Sequence, residues 1–589
     1  MHRFTDFKNL MFSRRSFVLV IIQCCIMFFL AIRLFFLQII KSRTYTTLSE
    51  NNRIKFFLLE PKRGIIRDNT GVVLAENRIN YQLYFYKQKN QNYEEVLKRV
   101  FSMLNFDMNE IKVISKLVKN SSYLYPVLIQ DNLSWNNVIK IESDNHNLSG
   151  VYISKGYTRY YPMKRMFAHT VGYVGVPTKE EADRYLLQHV GAFRIGKTGI
   201  EKECNQNLIG EFGFKKVEVN AYRSVIRELD QEQSVSGQDI SITINQKLQE
   251  RVYNLLSDNG GAAVVMNVKT GEILSMVSKP SFDPNIFSSA ISHNDWGDII
   301  KNRKHPLNNR TISTLYPPGS IWKVVTSLAV LNKGIDPKKT VYCSGSTKVG
   351  TQEYKCWKKS GHGHMDLNQA LMHSCNIYFY EMGREAGIDA IHHAASSLGF
   401  GAKTGVNLPG ELEGINPSRN WKEKTYNSSW RIGDTINAAI GQGYDLVTPI
   451  QLLTMMARIS SGFKVKPILY SQDSINSKRE KLNISEKNLE ILRESMSNVF
   501  NNREGNGYNS RITEKQFMMA GKSGTAQVVS GDAATTSIKK IKSHSVFAGY
   551  APVDDPKYAV SVVSEHAGWG MVTSAPIGID ILYFAQTKL

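Results

Sequence analysis

The chain carries a large excess of positive charge but no long block of basic residues. Its 73 lysines and arginines outnumber its 52 aspartates and glutamates, which gives a formal net charge of +21. These residues are spread along the chain, whereas a nucleic-acid-binding protein gathers them on one helix or face. Attraction to anionic lipid explains the charge more simply. We therefore expect no nucleic-acid partner.

Long apolar runs are also scarce, and the single one lies near the N-terminus. Residues 17–40 are apolar apart from two glutamines and one arginine. A helix of this length, at about 1.5 Å per residue, crosses a bilayer. Because four lysines and arginines precede it, we expect a cytoplasmic tail at 1–16, a transmembrane signal-anchor at 17–40, and the remainder outside. A cleaved signal peptide is the alternative, but no small-x-small site follows Ala31.

No repeat or low-complexity linker divides the rest of the chain, although 589 residues are too many for one core. Near residue 235 the polar stretch ELDQEQSVSGQD gives way to ISITINQKLQERVYNLL, a strand followed by a helix. We therefore expect one domain at 41–235 and another at 236–589. In the second domain, a hairpin pattern at Gly260–Asn285 and another around PVDDP bracket helical segments. This order predicts an α+β fold, with an antiparallel sheet against a helical cluster.

The most informative segment is LYPPGSIWK, in which Ser320 precedes Lys323 by three residues. A PPG turn followed by the apolar pattern IWKVVTSLAVL predicts a helix that ends at Gly334. Residues at i and i+3 share one helix face, so the amine can reach the hydroxyl. A serine needs such a base to act as a nucleophile, and an amine can serve once its pKa falls. Backbone donors at the helix N-terminus suit a developing oxyanion.

This spacing alone is weak, because Ser461 with Lys464 and Ser537 with Lys540 share it. Two further clusters follow Ser320 in order along the chain. They are Ser374-Cys375-Asn376 and, in the strand-like FMMAGKSGTAQVV, Lys522-Ser523-Gly524-Thr525. In this order the three clusters resemble the Ser-x-x-Lys, Ser-Asp-Asn and Lys-Thr-Gly motifs of serine acyl-transfer enzymes that react with penicillin, with Ser-Cys-Asn in the second place and Lys-Ser-Gly in the third.

A metal site is predicted between the first two clusters. Cys343, Cys356, His362 and Cys375 supply three thiols and one imidazole, a full tetrahedral set for structural zinc. His364 is a substitute for His362. The alternative is a disulfide between two of these cysteines, for which Cys204 is a further partner. The other two cysteines, at 24 and 25, lie in the predicted membrane span.

Five further segments accompany the three motifs and carry a resemblance to a known family. With PKRGIIRDNTGVVLAEN, RYYPMKRMFAHTVGYVG, GKTGIEKECNQNLIG, GQGYDLVTPIQL and FAGYAP, the motif trio closely resembles the class B penicillin-binding proteins from the anchor to the last residues. WKKSGHG at Trp357–Gly363 and the wording KSGTAQV favour the elongation-specific members over the division-specific ones. The resemblance implies a penicillin-binding-protein/β-lactamase-type transpeptidase domain on an elongated, dimerisation-type pedestal, in the bacterial inner membrane with the catalytic domain periplasmic.

The resemblance also implies D,D-transpeptidation, the cross-linking of peptidoglycan stem peptides, with β-lactam antibiotics as inhibitors. Ser320 would attack the penultimate D-Ala and form an acyl-enzyme, with Lys323 as its base. Ser374 and Asn376 would relay a proton to the leaving group and hold the donor amide.

The third motif would bind the end of the substrate. By the same resemblance, Lys522 would keep Lys323 neutral and bind the substrate carboxylate together with Ser523, Gly524 and Thr525. The backbone N–H groups of Ser320 and Thr525 would form the oxyanion hole.

Several alternatives stay open. A division-specific septal transpeptidase is the nearest one, and a membrane-anchored β-lactam sensor or hydrolase shares Ser-x-x-Lys but needs no pedestal of this size. A non-catalytic scaffold is a third alternative, but a protein without activity has no reason to keep all three motifs. A D,D-carboxypeptidase differs from a transpeptidase only in using water as the acceptor, and no residue decides between them. No glycosyltransferase segment precedes residue 235, so the resemblance implies a SEDS-type glycosyltransferase and the rod-shape complex as partners.

Overall fold

The structure, a computed structural model, describes residues 14–43, 53–87, 92–121, 126–184, 193–219, 225–288, 293–470, 480–527 and 542–589. The chain forms two compact units. The first comprises Met1–Pro61, Gln88–Asn90 and Glu211–Val235, and the second comprises Lys62–Lys87, Gln91–Gly210 and Ser236–Leu589. Most of the predicted cytoplasmic tail lies outside the described residues.

The first unit contains the apolar N-terminal helix. An α-helix at Arg14–Phe35 continues as a π-helix at Phe36–Ile40. Within the described residues, Phe17–Ile40 is the one helix long and apolar enough to cross a membrane, and none of it is buried in the protein. This agrees with the predicted span. The same unit has an antiparallel sheet of Ile54–Leu59, Gly213–Val219 and Val225–Glu232, in that order.

The N-terminal part of the second unit is built around one long strand. Val73–Phe85 pairs with Val151–Tyr160 along its length, and also with Val127–Gln130 and Ile66–Arg67. Ile66–Arg67 pairs in turn with Ile240–Ser241. The turn after Arg67 therefore joins two paired strands. Three amphipathic helices, at Tyr93–Leu104, Met108–Asn120 and Trp135–Ser143, contribute apolar side chains to the adjoining core.

A buried ion triad lies in the same part of the chain. The carboxylate of Glu201 is fully buried and accepts from Nε of Arg63 and from Nε of Arg159, both at 2.6 Å. Burial raises the pKa of Glu201, but the charges and hydrogen bonds of the two guanidinium groups outweigh burial and leave the pKa below its ordinary value. The triad joins the segments PKRG, TRYY and GIEKE, which are far apart in sequence.

The C-terminal part of the second unit has the predicted antiparallel sheet. Its strands lie in the order Ile273–Lys279, Gly261–Asn267, Tyr558–Ser564, His544–Ala551 and Ala520–Ala526. The last of these, hereafter the motif strand, is at the sheet edge and carries the Lys-Ser-Gly-Thr sequence. Helices Gln246–Leu255 and Ser574–Lys588 pack with the sheet in one apolar core. Helix Pro449–Ser461 contributes to a second core. The antiparallel sheet with helices packed against it confirms the α+β prediction.

The remaining helices of the second unit flank these cores or connect their strands. They are the short helices Ala168–Val171, Lys179–Arg184, Gly199–Glu203 and Asn205–Ile209, and then His293–Lys301, Lys323–Asn332, Leu367–Met372, Asn376–Ala386, Ile388–Leu398, Arg419–Tyr426, Ile432–Ala438 and Glu486–Asn501. Small two-stranded ladders are formed by Val341–Cys343 with Gly363–Met365, by Ser346–Val349 with Gln352–Lys355, and by Val174–Gly175 with Ile195–Gly196.

Candidate active site

Ser320 lies in a single 3-10 turn, Gly319–Ile321, immediately before the α-helix Lys323–Asn332. The sequence predicted one helix beginning at Ser320, whereas the α-helix begins three residues later. Gly319 has φ +53°, and a Cβ there would lie 2.8 Å from the carbonyl oxygen of Thr525. Only glycine fits this position, so the tight turn holds Ser320 against the motif strand.

Lys323 is the best-anchored side chain of the site. It is fully buried, and its Nζ donates to the carbonyl oxygen of Ser374 at 2.8 Å, to Oγ of Ser374 at 3.1 Å and to Oδ1 of Asn376 at 2.7 Å. The ring of Phe379 lies 5.6 Å from the same nitrogen. The structure therefore joins the first two motifs through Lys323. The Ser320 hydroxyl makes no hydrogen bond within the described part of the chain.

Ser374 has an unusual backbone conformation. Its φ is +56°, which few residues other than glycine adopt. The next helix, Asn376–Ala386, begins two residues later, and its N-cap is Cys375 rather than Ser374. Ser374 is therefore not an ordinary helix cap. Strained backbone of this kind persists where the surroundings hold it, as the hydrogen bonds to Lys323 do here.

The third motif faces the first from the motif strand. Lys522 is almost fully buried and donates to the carbonyl oxygen of Ser523 at 3.2 Å. A Cβ on Gly524 would lie 2.7 Å from the carbonyl oxygen of Pro318, so glycine permits the close approach of the two segments. Thr525 accepts at its Oγ1 from the backbone N–H of Gly570 at 3.1 Å.

Burial changes the charge state of both motif lysines. Desolvation lowers the pKa of Lys323 to about 8, although negative charge on Cys375 and Cys356 would raise it. Desolvation and then the charge of Lys323 lower the pKa of Lys522 to about 7. Both amines therefore lose their protons closer to neutral pH than an exposed lysine does.

Sequence reasoning missed Gln442, in the segment GQGYDLVTPIQL. Its Nε2 donates to the carbonyl oxygen of Thr525 at 3.4 Å. The neighbouring Gly441 accepts from the N–H of Gly319 at 3.0 Å. This segment therefore holds both the nucleophile turn and the motif strand. The segment contributed to the family resemblance, but the glycine on either side of Gln442 by itself indicates only a turn.

The rival pair Ser461 and Lys464 does not join the site. Ser461 donates to the carbonyl oxygen of Ala457, one turn back in its own helix, and Lys464 pairs with Glu480. Ser537 and Lys540 lie outside the described residues.

The predicted metal ligands do lie together. The ligand atoms of Cys343, Cys356, His362 and Cys375 all lie within 4.8 Å of one another. Nδ1 of His362 is 3.5 Å from the sulfur of Cys343 and 3.5 Å from that of Cys356. His364 is outside the group, with its ring against Tyr342.

The cysteine-histidine cluster adjoins the second motif. The backbone N–H of Asn376 donates to the sulfur of Cys356 at 3.4 Å, and Cys375 stands between Ser374 and Asn376. A hydrogen bond between the two thiols lowers the pKa of Cys356 and raises that of Cys375. Cys204 is buried elsewhere and bonded to Tyr470.

The chemistry of this donor set fits zinc. Three thiols and an imidazole nitrogen, mostly buried, leave no position for a substrate, as in a structural zinc site.

Comparison with known proteins agrees with the fold and the motifs. The model of the penicillin-binding protein transpeptidase domain matches residues 261–583, and that of the penicillin-binding protein dimerisation domain matches residues 58–242. The chain is 32% identical to the peptidoglycan D,D-transpeptidase MrdA of Haemophilus influenzae, over 99% of this chain and 93% of that protein.

Solved structures give the same result. PBP2 in a complex with MreC from Helicobacter pylori matches with a TM-score of 0.81 and 28% identity, over 91% of this chain and 99% of that one. A chain of a peptidoglycan synthase complex, described as coordinating polymerization and crosslinking, matches with a TM-score of 0.69 and 25% identity, over 98% of each chain.

The chain therefore belongs to the class B penicillin-binding proteins, in the branch of PBP2-type peptidoglycan D,D-transpeptidases. It is a serine-type D-Ala-D-Ala transpeptidase. The expected architecture of transpeptidase domain, dimerisation-type pedestal and one apolar N-terminal helix is confirmed.

Proposed function

We propose that the transpeptidase works through an acyl-enzyme on Ser320, in cell-wall elongation. One observation carries this assignment: the buried amine of Lys323, with a pKa of about 8, is held by Ser374 and Asn376 one helical turn from Ser320. A group buried in this way is matched to proton transfer near neutral pH.

The donor half of the reaction begins when Ser320 Oγ attacks the carbonyl carbon of the penultimate D-Ala. Lys323 takes the hydroxyl proton, and the backbone N–H groups of Ser320 and Thr525 stabilise the oxyanion. The amide C–N bond then breaks. The departing nitrogen receives a proton through the Ser374 hydroxyl, and the terminal D-Ala leaves.

In the acceptor half, an amine of a second stem attacks the Ser320 ester and gives up a proton to the same Ser374–Lys323 pair. The new amide forms, and Ser320 recovers its proton. Water in place of the amine would give D,D-carboxypeptidation as a side reaction with the same residues.

The motif strand would bind the free end of the donor. Lys522 supplies positive charge for the terminal carboxylate, although its pKa of about 7 leaves it only partly charged near neutral pH in the free protein. The approaching carboxylate favours the charged form. Ser523 and Thr525 add hydroxyl donors, and Gly524 lets the strand approach the nucleophile turn.

The direct test is labelling with a fluorescent penicillin, followed by mapping of the modified peptide. A label on the peptide that contains Ser320 supports the assignment. A label on Ser461 or Ser537 contradicts it.

We also propose partners on the basis of the relatives. The similarity to a PBP2 that forms a complex with MreC, and to a chain of a peptidoglycan synthase complex, supports assembly with a SEDS-type glycosyltransferase and the rod-shape complex. β-Lactam antibiotics would acylate Ser320. The helix Phe17–Ile40 would anchor the chain in the inner membrane, with residues after about 41 periplasmic.

The cysteine-histidine cluster would hold one structural zinc ion, bound by Cys343, Cys356, Cys375 and Nδ1 of His362. Zinc there would crosslink the two strands that carry Cys343 and Gly363 to the segment containing Ser374. The chain's own residues already link the cluster to the second motif, through the N–H of Asn376 and the sulfur of Cys356.

Metal analysis of protein purified without a histidine tag tests the zinc proposal. Near-stoichiometric zinc supports it. Absence of zinc, together with a cross-linked cysteine peptide in the digest, would establish a disulfide instead.

A further inference from the structure

Two exposed tryptophans meet next to the catalytic motifs. The side chains of Trp357 and Trp569 are 44% and 61% exposed, and their ring centroids lie 6.5 Å apart at an interplanar angle of 77°. They are more than two hundred positions apart in sequence. Large aromatic rings that remain exposed in contact with each other indicate a binding surface more often than isolated exposed residues do.

Trp357 is fixed to the second motif. Its indole N–H donates to the carbonyl oxygens of His373 at 3.1 Å and Ser374 at 3.2 Å. The same Ser374 oxygen accepts from Nζ of Lys323 at 2.8 Å. One carbonyl, with two lone pairs, therefore connects the Trp357 ring to the catalytic amine.

Trp569 is fixed to the third motif, but only through its backbone. Its carbonyl oxygen accepts from Oγ of Ser545 at 3.3 Å, and the next residue, Gly570, donates to Oγ1 of Thr525. A Cβ on Gly570 would lie 2.1 Å from the carbonyl oxygen of Gly524, so this turn lies tightly against the motif strand. The indole N–H of Trp569 makes no hydrogen bond within the described residues.

The two rings therefore connect the second motif to the third, and the donor must lie between these motifs to react. One ring is attached beside Ser374, and the other beside Thr525. The D-Ala-D-Ala end of the donor reacts between these motifs, and the two exposed rings beside them offer a surface for the preceding part of the stem peptide. Indole faces favour contact with methyl and methylene groups and with planar amides.

We propose that Trp357 and Trp569 clamp the donor stem peptide upstream of its D-Ala-D-Ala end, and that Trp569 determines the preference for long stems over small acyl donors. Trp357 is the fixed side of the clamp, because its N–H makes two hydrogen bonds. Trp569 is the side that turns to admit the peptide, because only its backbone is bonded. The proposal rests on the Ser320 chemistry proposed above.

The full-length chain in detergent provides the test. D-alanine release is measured with a synthetic pentapeptide stem ending in D-Ala-D-Ala and with the truncated N-acyl-D-Ala-D-Ala, and acylation is measured with benzylpenicillin. Trp569→Ala should raise KM for the pentapeptide about three- to tenfold, the range expected for one lost aromatic contact, and should leave kcat nearly unchanged. The truncated peptide and benzylpenicillin should react as with the wild type.

Two variants make the result specific. Trp569→Phe retains a ring and should restore most of the pentapeptide affinity. Trp135→Ala removes a tryptophan of matched exposure, 60%, that is far from the motifs in sequence, and should change none of the three reactions. An unchanged pentapeptide KM in Trp569→Ala, or equal losses with all three reagents, would overturn the proposal. Failure of the wild type to be acylated at Ser320 would instead refute the Ser320 assignment.

Discussion

Nζ of Lys323 lies 2.7 Å from Oδ1 of Asn376, and this contact joins two sequence motifs that are 53 positions apart. The amide oxygen accepts from the lysine nitrogen and therefore favours its protonated form. Burial acts in the opposite direction and prevails, since the pKa of Lys323 falls to about 8. The second motif thus positions the base, while burial lowers its pKa.

Replacement of the nucleophile should abolish acylation without unfolding the protein. Ser320→Ala removes one partly exposed hydroxyl that makes no hydrogen bond within the described residues, so the melting temperature should stay close to that of the wild type. Gel labelling with a fluorescent penicillin should show no band. Ser461→Ala, in which the lost hydroxyl bonds only to the backbone of Ala457 and Phe463, is the control and should label normally.

Replacement of the base should slow acylation rather than prevent binding. Lys323→Ala removes the proton acceptor, and we expect the acylation rate constant to fall by at least about three orders of magnitude. Stopped-flow or quenched-flow measurements with a chromogenic β-lactam provide the rate. Lys464→Ala, in a rival Ser-x-x-Lys pair, should react at the wild-type rate, and a similar loss there would contradict the assignment.

The acylation rate should depend on the protonation of Lys323. The amine is a base only when neutral, so the rate should rise with pH and reach half of its maximum near pH 8. Asn376→Ala removes an acceptor that favours the charged amine, so it should move the midpoint to lower pH. A midpoint that stays in place, or that moves upward, would contradict this account of the contact.

The proposed zinc ion should stabilise the region around Ser374. In Cys356→Ser or after treatment with a chelator, we expect zinc content to fall from about one per chain, the melting temperature to decrease, and acylation to slow. Cys204→Ser is the matched control, because Cys204 is a buried cysteine outside the cluster. Equal zinc content in wild type and Cys356→Ser would refute the ligand assignment.

The buried ion triad should matter far more to stability than an exposed pair. Glu201→Gln leaves Arg63 and Arg159 buried without a counter-charge, which should cost about 3–5 kcal/mol of unfolding free energy. Glu76→Gln disrupts an exposed pair with Arg78 and should cost less than about 1 kcal/mol. Thermal or denaturant unfolding of the two variants, compared with the wild type, measures the difference.

The sequence by itself determined much of the local structure and the identity of the nucleophile. The helix after Ser320, the hairpin at Gly261–Lys279, the strand with Lys522 and the apolar span were all predictable, because periodicity and turn residues act within a few positions. The order of the three motifs distinguished Ser320 from Ser461, which spacing alone could not do.

Only the tertiary structure decided which distant groups meet and how deeply they are buried. The fold places His362, and not His364, among the three cysteines of the cluster. It also brings Gln442 into contact with Thr525, and Trp357 into contact with Trp569. The pKa of Lys323 likewise depends on burial by segments far away in the chain. No local pattern encodes such contacts, because they arise when separate helices and strands pack into one core and exclude water from the groups between them.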